Sequence, residues 1–168
     1  MISEYALRGY LAQLTTRGWG MKGYGSLLDG WHLIYPSRLE DLDVFLDVDE
    51  EWVYLQCPLL RCAPHPDCRA TLHEFLMRAN EGIFFAKFAL MLDPGAGHEE
   101  TVTLISEAPV ENLDAGLFRL MAEAIVRYAE DYGRELRSIA LDPAIAAMIA
   151  TVEGAAGDPP IEIVLEGS

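Results

Sequence analysis

The sequence predicts an α+β fold: a strongly twisted antiparallel sheet of about five strands with helices packed on one face. Three observations carry this. Leu7, Tyr10, Leu11 and Leu14 repeat at helical spacing near the start of the chain. Three strand-like runs then follow with no helix between them, as in a meander closed by short turns. From Asp67 to Tyr132 the order becomes helix, strand, turn, strand, helix, and the strands are too apolar to leave both faces in water.

Each element has its own signal. Ser3 supplies a helix N-cap, because its hydroxyl can accept a backbone N–H of the first turn, and Gly18 supplies the stop. Trp19 to Gly30 is glycine-rich and reads as irregular or as a loose first strand. Trp31 to Tyr35 is a strand stopped by Pro36. In the next, Leu42, Val44, Leu46 and Val48 alternate with Asp43, Phe45 and Asp47, the period-two pattern of a half-buried strand. Glu50 and Glu51 form a turn, and Trp52 to Leu59 is the third strand of the meander.

A loop from Leu60 leads to Asp67, the expected cap of a helix carrying Leu72, Phe75, Leu76 and Ala79 on one stripe. A strand is expected from Ile83 to Leu92, with Phe84, Ala86, Phe88, Leu90 and Leu92 on one face and Ile83, Phe85, Lys87, Ala89 and Met91 on the other. A turn through Asp93–Gly97 joins it to a strand from Thr101 to Ser106. Asn112 or Asp114 starts a long helix whose apolar period runs from Leu113 to Tyr128, with Gly133 as its expected end. Asp142–Pro143 starts a short Ala-rich helix over Ala144 to Thr151, since proline suits the first helical position. Ile161 to Leu165 is the expected last strand. The chain is thus read as a main domain over residues 1–136 and a C-terminal extension over 137–168, packed on the same domain or on a dimer partner.

Bulk composition excludes several functions. The 168 residues are enough for one domain with its own core, and 51% are hydrophobic, which excludes disorder. Twenty-seven acidic against 12 basic residues leave a net charge of -15. Such a chain does not attract nucleic-acid phosphates or anionic membranes, so neither partner is expected. No apolar run approaches the roughly eighteen residues of a membrane span. The first residues lack a basic start and an apolar signal core, and the three cysteines form no framework, so a reducing cytoplasm is expected.

Few residues are arranged for chemistry. Cys62, His65 and Cys68 stand at intervals of three, with His73 and Cys57 nearby; thiolate and imidazole are zinc ligands, so this region is the candidate metal site. It supplies one loose clip rather than a pair, and metal binding is the alternative reading, not the main one. The acidic run Asp47, Asp49, Glu51 lacks the glycine-bearing turn of a calcium loop. Ser26, Ser37, Ser106 and Ser138 have no nucleophile-elbow setting, and Gly18, Gly20, Gly23 and Gly25 lack the Lys-Ser/Thr of a phosphate cradle. No catalytic residue and no cofactor is expected, and the chain reads as a non-enzyme. The apolar strand faces are the remaining signal: Phe85, Met91, Trp31 and Trp52 are the candidate protein-binding residues.

The order helix, three strands, helix, two strands, helix resembles the type III secretion chaperone-like fold, including Tir-chaperone-like and YbjN-like families. The likeness is carried by Trp52–Cys57, Leu72–Asn80, Ile83–Leu90, Thr101–Ile105 and Leu113–Phe118. It spans about residues 2 to 136. The resemblance implies a non-enzymatic, dimeric binder, chaperone-like or a regulatory adaptor, that holds extended segments of other proteins. The tail beyond Arg137 and the loop bearing Cys62, His65 and Cys68 depart from that pattern. No functional residue carries over, because the resemblance implies surfaces and not a signature.

Overall fold

The computed structural model describes residues 2–22, 30–38, 40–60, 62–93 and 99–155. It is α+β, with an open six-stranded antiparallel sheet in the order β1-β2-β3-β4-β6-β5. Helix α1 spans Glu4–Thr15, with the Ser3 hydroxyl accepting the Ala6 N–H at 3.1 Å and Leu7, Leu11 and Leu14 buried. Gly18 turns the chain in the left-handed region at φ +91°. Strands β1 (Gly20–Lys22), β2 (Trp31–Tyr35), β3 (Leu42–Val48) and β4 (Trp52–Pro58) form the meander. Helix α2 (Arg69–Gly82) precedes β5 (Lys87–Asp93), β6 (Glu99–Pro109), α3 (Ala115–Leu141) and α4 (Pro143–Ala155).

One face of the sheet makes the core. Trp31 and Leu33, then Leu42, Val44 and Leu46, then Val53, Leu55 and Cys57, then Val102, Leu104 and Ala108 alternate inward along successive strands. Helix α3 lies across β4 and β6, α2 packs on β5, and α1 and α4 pack against α3. The stripe on α3 that faces them includes Phe118, Met121, Ile125, Ala129, Leu136 and Ile139, so its period continues for the full helix.

Several expectations change. The sheet has six strands instead of about five, because the glycine-rich segment contributes β1. Asp67 does not cap α2. A short 3-10 turn, Pro66–Cys68, comes first, and His65 Nδ1 accepts the Asp67 N–H at 3.2 Å. β5 begins at Lys87 and not at Ile83, because Phe85 sits at φ +61°, a conformation that ends strand alternation. Ile83 consequently turns into the core while Phe84 and Phe85 face water. β6 extends to Pro109 and pairs with β4 over the full length of that strand, from Trp52↔Pro109 to Pro58↔Thr103.

Gly133 does not end α3. It is buried inside a helix that continues to Leu141 and so passes unbroken through residues 136 and 137, where the sequence places the junction between domain and extension. The added turns are held from outside: Arg137 Nε donates to the Leu59 carbonyl at 3.1 Å, and the His65 N–H donates to the Ala140 carbonyl at 2.8 Å. The last helix also starts one residue earlier than expected and runs further, to Ala155; Asp142 Oδ1 accepts the Ala144 N–H at 2.9 Å. The turn through residues 94–98 and the strand at 161–165 lie outside the described residues. Among the described residues, no helix is long and apolar enough to cross a membrane.

Candidate functional site: the open face of the sheet

The face turned away from the helices carries the second set of alternating side chains. The β-ladder sets them in rows, because directly paired residues point the same way. One row reads Lys87, Ile105, Gln56, Phe45, His32 and Lys22; a second joins Ala89, Thr103 and Pro58, and Asp43 pairs with Ile34. Phe45 is 40% exposed and Trp52 36% exposed. At the Trp52 end, the consecutive Phe84 and Phe85 are 71% and 55% exposed.

That aromatic corner is firmly built. The Phe84 N–H donates to the Tyr128 hydroxyl at 3.1 Å, and the Ser106 hydroxyl donates to the Phe85 carbonyl. Tyr132 packs edge-on against both Phe75 and Phe88 beneath it, at centroid distances of 6.2 and 5.6 Å. A phenylalanine in the left-handed region costs about 1 kcal/mol or more. The bonds from α3 and β6 hold that conformation and keep two rings in water.

At the other end of the strands the open face forms a cleft of about 790 Å³. His32, Asp43, Phe45, Gln56, Thr103 and Met91 line its sheet side; the segment Leu59–Leu60, Cys62 and the end of α3, with Arg137 and Leu141, line the other. His32 Nε2 donates to Asp43 Oδ1 at 2.7 Å, and the imidazole stacks on Phe45 at 4.8 Å between centroids. The Arg137 guanidinium pairs with Glu40.

The residues singled out in the sequence are dispersed. Of the protein-binding candidates, Trp52 and Met91 lie on the open face, and Phe85 is exposed in the bend that precedes β5. Trp31 does not: it is buried in the core on the helix side, because its strand position has the opposite parity. Cys57 faces the core, and burial, aided by the Asp43 charge, pushes its thiol up to about 12. Cys68 is buried at the start of α2, where burial and then the Asp67 and Asp142 carboxylates raise its thiol. His65 is used as a cap, while Cys62 and His73 are exposed. Among the described residues, no three His, Cys, Asp or Glu side chains converge as a metal-holding group. Asp49 is structural: its carboxylate accepts the Trp52 N–H at 2.6 Å and the Glu51 N–H at 2.8 Å, and those bonds hold it below the usual carboxylate range.

His32, Phe45, Gln56 and Thr103 were not singled out from the sequence. The outward parity of Asp43, Phe45 and Asp47 placed Phe45 with the charged positions of its strand, but only pairing with β4 and β2 shows what stands beside it. The chain matches no known family model and no curated protein.

Proposed function

We propose that this protein is a non-enzymatic protein-binding module, a chaperone-like or regulatory adaptor, acting as a homodimer in the cytoplasm. One observation carries the reading: the sheet is covered by helices on one face, while Phe45 and Trp52 on the other face, and Phe84 and Phe85 in the bend before β5, stand exposed to water. An antiparallel sheet normally shows polar side chains on its uncovered face. Rings that remain exposed suit a surface that a partner covers in the working state. The surface also carries both charge signs, in the pair Lys87–Glu107 at 2.6 Å, which suits a self-complementary two-fold contact. Three free cysteines fit a reducing compartment. An extended segment of another protein is the second kind of occupant this face accommodates.

Light scattering tests the reading. The wild-type chain is expected at twice its 18.6 kDa mass, and a Trp52→Ser, Phe85→Ser double variant at the single mass with its circular dichroism unchanged. A wild type that is monomeric at high concentration, or a variant that stays fully dimeric, overturns it.

A further inference from the structure

We propose that the cleft beside His32 and Asp43 is a small-ligand site for an alkylammonium group, a primary amine on an apolar stem. The cleft lies at the Pro58 end of the strands, away from Trp52 and Phe85, and its size is that of a small-molecule pocket.

The first argument is an unmet hydrogen-bonding need. Thr103 is only 3% exposed and lines the cleft, yet its hydroxyl has no hydrogen-bond partner among the described residues. The register explains this: its neighbours in the row are Pro58 on β4 and Ala89 on β5, neither of which offers a polar side-chain atom. The half-buried Gln56 carboxamide, one row away, likewise has no hydrogen bond among the described residues. Buried polar groups are almost always paired. These two offer oxygen acceptors on the cleft wall.

The second argument is charge. Glu40, Asp41 and Asp43 line the cleft with Arg137 and His32. Glu40 engages Arg137 and Asp43 engages His32, so both local bases are matched and exposed Asp41 leaves the site acidic. The net charge of -15 adds to the attraction for a cation.

The third argument is shape. Phe45, Pro58, Leu60 and Met91 make the remaining wall apolar. Thr103 is almost fully buried, and an ammonium group on a methylene stem is slender, donates three hydrogen bonds and packs its stem on those side chains.

Amide chemical-shift titration of the full chain with pentylamine tests this, with pentanol and pentanoate as neutral and anionic controls of equal length. The expected result is saturable shifts at Gln56, Thr103 and Asp41–Asp43 with pentylamine alone. Thr103→Val, nearly isosteric, and Asp41→Asn should each weaken binding about tenfold, the effect of losing one hydrogen bond to a charged group. A lysine-containing tripeptide that shifts the same amides supports the same chemistry and assigns its source to a partner's side chain. Shifts spread over the acidic surface, equal binding of pentanol, or affinity unchanged in both variants overturns the site. Should Thr103→Val fail to fold, the wild-type shift map and Asp41→Asn decide alone.

Discussion

The side chain of Asn80 grips the main chain of Phe88 at two points: Oδ1 accepts the Phe88 N–H at 2.7 Å, and Nδ2 donates to the Phe88 carbonyl at 2.9 Å. β5 is an edge strand, and the N–H and C=O of one residue in an antiparallel strand point to the same side. Asn80 therefore takes the place of the missing neighbour strand at that residue, and the end of α2 closes part of the sheet edge.

Removing the grip leaves both main-chain groups without their partner. Asn80→Ala should lower the unfolding free energy by about 1–3 kcal/mol. Asn80→Asp, which keeps the acceptor but loses the donor, should fall between wild type and alanine. Urea denaturation monitored by tryptophan fluorescence gives both values; an unchanged midpoint in Asn80→Ala would mean that the edge contributes nothing to folding.

Phe85 and Phe88 should respond in opposite ways, although only three positions separate them. Phe88 is buried under Tyr132, so Phe88→Ala should cost about 3–5 kcal/mol. Phe85 is exposed and held at φ +61°, so Phe85→Gly removes strain worth about 1 kcal/mol and should not lower the unfolding midpoint. If the Phe85→Gly chain loses more stability than Phe88→Ala, the aromatic corner serves the fold and not an external surface.

Gly133 has space around it. A Cβ built there meets nothing within 4 Å, and the residue lies deep inside α3. Gly133→Ala should therefore stabilise the protein by about 0.5–1 kcal/mol, through the lower backbone entropy of the unfolded chain and better helix propensity. Thermal unfolding by circular dichroism would show a higher midpoint; a lower one would place a helix break near residue 133.

Asp49 links the β3–β4 turn to pH. Bonds from Trp52 and then Glu51 lower its folded pKa from the ordinary value of 3.8. A depressed folded pKa means that its stabilisation is complete above the unfolded value and is lost as pH falls through the folded one. The gap in urea midpoint between wild type and Asp49→Ala should thus be constant near neutral pH and shrink once the pH drops below about 3.8. A gap that grows on acidification would reverse the sign and remove this carboxylate from the turn.

Local signals account for most of the architecture. The alternation in residues 42–48 and the stripes on α1, α2 and α3 name their own buried faces, because hydrophobic period and backbone geometry coincide there. The Ser3, Asp114 and Asp142 caps are equally local, each bond lying within a few residues of its acceptor. Where the reading fails, a distant group intervenes. Gly133 is a stop signal in isolation, but α3 continues because Leu59 and His65 bond to its last turns. Ile83–Ala86 has the composition of a strand, but Tyr128 and Ser106 capture Phe84 and Phe85 in a bend.

The sequence by itself determined the α+β class, the order of the elements, the inward parity of β3 and the acidic composition. Tertiary structure alone decided that β6 stands between β4 and β5, that Trp31 is core while Trp52 is surface, and that Thr103 meets Pro58 and Ala89 in a cleft. The reason is physical: period and capping act over a few residues, whereas strand order and the neighbours of an outward side chain depend on pairing between segments tens of residues apart, which no local pattern encodes.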